Sequence, residues 1–189
     1  RERVRAFMAF RWRTEGGVTE SYVLSGLPST LRAAAATHLR GRHVDACPIF
    51  ADLEPAVRAA LALALEHRLF GPGDVIARCG EMGQAMWFLV DGGCEVLSPS
   101  AERVILRLEP GDYFGDASLF LSEPRAASVR ANGFCVAYEL SRAALLQVME
   151  QFPEPPALGD LRLPRWERMV QAVRTRDERF RRLASAVGD

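Results

Sequence analysis

The chain contains no CxxC pair and no cysteine–histidine spacing of the metal-binding kind. Its four cysteines, Cys47, Cys79, Cys94 and Cys135, are scattered. That pattern excludes a zinc module and a small disulfide scaffold, and predicts buried, reduced thiols. No apolar run reaches the roughly 18 residues that a bilayer crossing needs, and no signal-peptide pattern occurs. There is no P-loop and no GxGxxG, which argues against di- and triphosphate sites. Neither sign of charge is in excess: 24 Lys and Arg face 24 Asp and Glu. No global basic field is therefore present to draw nucleic acid, and no nucleic-acid partner is expected. The three histidines, His38, His43 and His67, stand near no serine, cysteine or carboxylate pattern of the catalytic kind, so an enzyme is not expected. No period between about twenty and fifty residues repeats, which excludes a solenoid.

What is present is ordinary in bulk and uneven in detail. The 189 residues are 49% hydrophobic and 25% charged, with room for one domain plus an appendage or for two small domains. Arg is favoured heavily over Lys, and the run RTRDERFRR near the end reads as a solvated helix face. The chain opens on Arg1, inside a helical pattern, and is expected to be a piece of something longer.

Residues 1–13 place Val4, Phe7, Met8 and Trp12 on one helical face, and Gly16–Gly17 stop that helix. A short helix is expected from Thr19 to a stop at Gly26, and another after Pro28. These first forty-five or so residues hold too few large apolar side chains for a core of their own, so they should pack on something else. A further helix is expected over about 54–66. The pattern then changes to short β-rich runs punctuated by Gly, Pro and Asp. Strands are predicted near 74–79, 85–90, 94–98, 103–108, 127–131 and 134–140, with Asp91-Gly92-Gly93 as a hairpin turn. Strands this short suggest a small barrel or sandwich. A helix capped by Ser141 follows and ends at Pro153, and a final amphipathic helix runs over about 165–186.

The stretch from Phe114 to Ala131, FGDASLFLSEPRAASVRA, interrupts the barrel between strands. Its GDASLFL portion reads as a helical turn whose first amides, Gly115 to Ser118, are left unpaired and favour an anion. Arg125 adds a full charge with forked donors, which suits a phosphate. Asp116 would repel that anion, so it needs another task; a carboxylate can accept a hydrogen bond from a ribose hydroxyl. Phosphate and ribose in one pocket imply a nucleotide.

Phe114-Gly115-Asp116-Ala117-Ser118-Leu119 followed by Arg125-Ala126-Ala127-Ser128-Val129 resembles the phosphate-binding cassette of cyclic-nucleotide-binding domains. The run FGPGDVIARCGEMGQAMWFLVDGGCEVL is similar to the family's first strands. VRAFMAFRW, VLSGLPSTLR and CPIFADL are similar to the C-linker of hyperpolarisation-activated and cyclic-nucleotide-gated channels. The resemblance covers about residues 4–152. It implies an α+β fold: a helical C-linker over 1–47, then a cyclic-nucleotide-binding domain over 48–189, built as a jelly-roll-like β-roll with flanking helices and a lid helix. It implies no cofactor but a cAMP or cGMP ligand. Gly115, Ala117 and Ala126 would supply amides and Arg125 would pair with the cyclic phosphate. Val96 and Leu108 would pack on the ligand, and Arg168, Met169 and Val173 are candidate lid contacts. Asp116 stands where the family has a glutamate that holds the ribose 2′-hydroxyl, and it is one methylene shorter. Losing that hydrogen bond would weaken binding roughly ten- to hundredfold. Ala126 stands where cGMP-preferring relatives often carry Thr, so cAMP is expected to be preferred. The implied partners are a homotetramer formed through the C-linker and an upstream pore domain, at the cytoplasmic side of a membrane. A sodium/proton exchanger carrying the same module, or a degenerate assembly domain, are the alternatives.

Overall fold

In the computed structural model, residues 2–16, 18–100, 103–153 and 165–188 are described. Three helices come first: α1 (Glu2–Glu15), α2 (Glu20–Ser25) and α3 (Ser29–Asp45). The Thr19 side chain caps α2 by accepting from the Tyr22 amide, as the sequence pattern predicts. A 3-10 turn (Pro48–Phe50) leads into α4 (Pro55–Ala64).

Eight strands follow: β1 (Glu66–Phe70), β2 (Val75–Ala77), β3 (Ala85–Asp91), β4 (Cys94–Leu97), β5 (Val104–Leu108), β6 (Tyr113–Phe114), β7 (Ser128–Ala131) and β8 (Cys135–Ser141). They form two antiparallel sheets of four, ordered β1-β8-β3-β6 and β2-β7-β4-β5. The short helix α5 (Asp116–Leu121) sits between β6 and β7. After β8 come α6 (Arg142–Gln151) and α7 (Arg165–Gly188). The whole is an α+β fold with a jelly-roll-like β-roll, as expected.

Strand β3 explains how the layers stack. Its Ala85, Trp87 and Leu89 face the space between the sheets, packed with Val96, Leu108, Phe114 and Val129. Its alternate residues Met86 and Phe88 face outward, against Phe50, Leu61, Leu119, Leu145 and Val173 of the helices. A strand covered on both faces reads as a continuous apolar run rather than an alternating one. The sequence AMWFLV is such a run.

Three expectations are corrected. The helix predicted to reach residue 66 ends at Ala64, and Glu66–Phe70 form an unpredicted edge strand, β1, paired to β8. Asp91-Gly92-Gly93 is not a hairpin: β3 and β4 lie in different sheets, and the turn carries the chain across. Finally, α1 does not bury the expected face. Val4, Met8 and Trp12 are exposed, whereas Phe10 is buried. Phe10 stacks on Phe134 of the β7–β8 connection at 4.7 Å, and Phe7 lies 6.5 Å from the same ring.

A second joint ties the leading helices to the roll. Glu20 of α2 accepts from Tyr138 of β8 at 3.0 Å and from Arg40 of α3 at 2.5 Å. Arg40 is buried, and it also donates to the main-chain carbonyls of Leu63, in the last turn of α4, and of Leu65 just beyond it. Tyr138 is flanked edge-on by His43 at 5.4 Å and His67 at 5.8 Å, which places two of the three histidines in structural contacts.

Candidate functional site

A cavity of about 260 Å³ opens between the second sheet, α5 and the distal half of α7. The positions named from the sequence converge on it: Gly115, Asp116, Ala117, Arg125 and Ala126, with Val96 and Leu108 as apolar wall.

Local sequence explains the geometry. Gly115 is the N-cap of α5 with φ +85°, in the left-handed region where a side chain is strained. A Cβ there would lie 2.8 Å from an Arg125 terminal nitrogen and 3.0 Å from the Ala85 carbonyl oxygen. Gly83 is crowded in the same way: a Cβ would stand 2.6 Å from Ser118 Cβ and 2.8 Å from Arg125 Cζ. Glycine at both positions lets the arginine lie close against the main chain. The first-turn amides of α5 have no intrahelical acceptor because no turn precedes them.

Arg125 is half-buried. It donates to the Ala85 carbonyl at 2.9 Å, and its guanidinium lies over the Trp87 ring at 4.8 Å. Burial lowers its pKa from the ordinary arginine value, with Glu81 opposing that shift. Among the described residues, no carboxylate forms an ion pair with it. A cation held by a ring and one carbonyl, with no carboxylate ion-paired to it among the described residues, is placed to receive an anion.

Asp116 is placed differently. Its side chain is only 4% exposed, and its carboxylate is ion-paired to Arg176 of α7. Arg176 also donates to the Tyr113 carbonyl at 2.7 Å and lies over the Tyr113 ring at 4.2 Å. Burial pushes the Asp116 carboxyl up from its ordinary value, and Arg176 pulls it back down. A second pair ties α7 to the segment just after α5, Arg181 to Glu123 at 2.6 Å. The last helix is thus held over the cavity by its arginines.

The lid register departs from the expectation. Met169 and Val173 are buried in the helical core at 2% and 0% exposure and do not line the cavity. Arg168 and Met169 instead border a small recess near Pro48 and Leu53. The residues of α7 that do line the cavity lie farther along: Arg176, Asp177, Arg179, Phe180, Arg181 and Leu183. Arg176 was missed in the sequence, although it falls on the same helical face as Val173, three residues on.

No group of three or more His, Cys, Asp or Glu that could hold a metal occurs among the described residues. Among them, too, no helix is long and apolar enough to cross a membrane.

The model of the cyclic nucleotide-binding domain matches residues 67–152, which include the whole cassette. Residues 67–152 are a cyclic nucleotide-binding domain. A domain of this kind is a regulatory module rather than an enzyme. The chain is 30% identical to a cyclic nucleotide-gated cation channel protein of Drosophila melanogaster over 158 residues, 80% of this chain and 24% of that protein. It is 27% identical to the cyclic nucleotide-gated channel of Caenorhabditis elegans over 158 residues, 80% of this chain and 22% of that protein. With the potassium/sodium hyperpolarization-activated cyclic nucleotide-gated channel 1 of Rattus norvegicus it shares 34% identity over 134 residues, 71% of this chain and 15% of that protein. The chain therefore spans less than a quarter of the length of these relatives. Its cyclic nucleotide-binding domain is of the type found in these channels.

Proposed function

We propose that this domain binds a purine 3′,5′-cyclic nucleotide, cAMP in preference to cGMP, as the ligand sensor of a tetrameric cation channel. The observation that carries the reading is Arg125, a half-buried guanidinium facing the cavity with no carboxylate paired to it among the described residues. The cyclic phosphate would sit against Arg125 and the amides of Gly115, Ala117 and Ala126. The sugar and base would lie along Val96 and Leu108, under Phe180. Ala126 offers no hydroxyl to guanine, which favours cAMP.

In this reading residues 1–47 are the C-linker and residues 48–189 the sensor, on the cytoplasmic side of a membrane, with a pore domain upstream. Ligand would act by stabilising one position of α7 over another, since only differential affinity shifts an equilibrium. The displacement would reach α2 and α3 through Tyr138, Glu20 and Arg40. Calorimetry tests the site: Arg125→Glu should abolish cAMP binding while the circular dichroism spectrum is retained. Unchanged affinity would refute the assignment.

A second reading is favoured by one observation. Asp116 already has a charged partner in Arg176, and Arg181 pairs the same helix with Glu123. On that reading the domain is an assembly module that needs no ligand, and titration of the unsubstituted chain with cAMP and cGMP would give no heat.

A further inference from the structure

Two thiols meet inside the roll, where the nucleotide reading gives them no role. Cys94 opens β4 in one sheet and Cys135 opens β8 in the other. Their sulfurs are 3.8 Å apart, both residues are buried at 1% and 0% exposure, and both are free thiols. We propose that Cys94 and Cys135 are a disulfide-forming pair that closes on exposure to hydrogen peroxide, tying the two sheets together behind the nucleotide cavity.

The fold brings them together by two crossings at one end of the roll. The Asp91–Gly93 link carries the chain from the first sheet to the second, and the Asn132–Phe134 link carries it back. The two links are joined by the Asn132 amide donating to the Gly93 carbonyl at 2.9 Å. Gly92, at φ +79°, lies directly against Cys135; a Cβ there would stand 2.7 Å from the Cys135 Cβ. The absence of a side chain at Gly92 leaves that approach open. The other two cysteines have different surroundings. Cys47 lies beside Tyr113, and Cys79 lies near the Ala126 carbonyl at 3.6 Å.

The chemistry balances with peroxide as the oxidant. The two thiols are in hydrogen-bond contact, and that contact lowers the Cys94 pKa from the ordinary thiol value, which favours Cys94 as the attacking sulfur. The Cys94 thiolate attacks one peroxide oxygen, the O–O bond breaks, and the departing hydroxide takes a proton to leave as water. Cys94 is then a sulfenic acid. Cys135 sulfur attacks Cys94 sulfur, the S–O bond breaks, and the hydroxyl leaves as a second water with the Cys135 proton. Two thiols are oxidised by two electrons and one peroxide is reduced. Because both sulfurs are buried, a small oxidant is required and a bulky disulfide reagent is not expected to react.

Val96 follows Cys94 on the same inward face of β4, and Leu108 is paired in register with Cys94; both line the cavity. A bond at Cys94 therefore fixes the spacing of the sheets next to the ligand wall.

The test treats the folded chain with a small excess of hydrogen peroxide, denatures it in an alkylating agent and reads the mass. The expected result is two fewer alkylated thiols than in the untreated chain, a Cys94–Cys135 linked peptide, and full reversal by dithiothreitol. A Cys47→Ser/Cys79→Ser chain should lose both of its remaining thiols, and its thermal midpoint should rise on oxidation. Four alkylated thiols after treatment would overturn the proposal. So would lost thiols mapping to Cys47 or Cys79, or a sulfinic acid at Cys94 or Cys135 without a linked peptide.

Discussion

Asp116 and Arg176 lie 60 residues apart in the chain and form an ion pair across the contact between α5 and α7. The acid at the position suited to a ribose hydroxyl thus faces the lid helix. Asp116 is buried more deeply than its partner: its side chain is 4% exposed, against 39% for Arg176. A carboxylate so placed is costly to ionise without a cation beside it. The arginine makes ionisation tolerable and fixes the angle of α7 in doing so.

Arg176→Ala should therefore destabilise the domain by about 1–3 kcal/mol, the cost of leaving a buried polar group unsatisfied. Asp116→Asn in the same chain should recover part of the loss, because the amide needs no counter-charge. Urea unfolding of the two single variants and the double variant measures the coupling; strictly additive effects would show that the pair carries none.

Gly115→Ala and Gly83→Ala should both weaken cAMP binding without removing any ligand contact. Each new methyl would meet the Arg125 guanidinium at 2.8 Å and force it to move. Gly115→Ala also strains a backbone at φ +85° and should cost more than about 1 kcal/mol of stability. Gly83→Ala carries no such backbone strain but would also press on Ser118, whose Cβ lies 2.6 Å from the new methyl, so unfolding curves of both variants are needed to separate displacement of the arginine from loss of fold. Normal affinity in both variants would show that the position of Arg125 is not critical.

How much of this was legible in the sequence depended on the kind of signal. The cassette was legible because a glycine, an acid and an arginine stand together within one short segment, in an order that resembles the family's pattern. The lid register was not. Helical periodicity puts Met169, Val173 and Arg176 on one side of α7, but nothing in the sequence says where the core ends and the cavity begins along that stripe. The helix turns from one to the other between Val173 and Arg176. Strand β1 was hidden because α4 passes into it through Leu65 alone, with no glycine or proline between them. The role of Asp91–Gly93 was hidden because turn chemistry reports a change of direction and not which sheet the chain enters.

Stability should fall as the pH drops through the histidine range. Burial first, then the charge on Arg42, lowers the His43 pKa below its ordinary 6.5. The unfolded chain then binds a proton at a pH where the folded chain does not. The stabilisation is complete above the unfolded value and is lost as the pH falls toward the folded one. Urea midpoints at pH about 7 and about 5 should differ less in His43→Gln than in the unsubstituted chain. Equal differences would assign the acid sensitivity elsewhere.

Phe134→Ala should release α1 while leaving the roll intact. Phe7 and Phe10 both meet this one ring, and most of the rest of α1 is exposed. Hydrogen exchange of residues 2–15 should accelerate markedly, with β3 and β8 unchanged. Unaltered protection of α1 would mean that other contacts hold it.

Glu20, Tyr138 and Arg40 lock α2, α3 and β8 into one strut, since a single carboxylate takes bonds from both neighbours and the arginine reaches on to the end of α4. Such a joint transmits force but does not bend. Any swivel of the leading helices against the roll must then be taken up ahead of α2, by α1 leaving its seat on Phe134 while residues 20–45 travel with the strands.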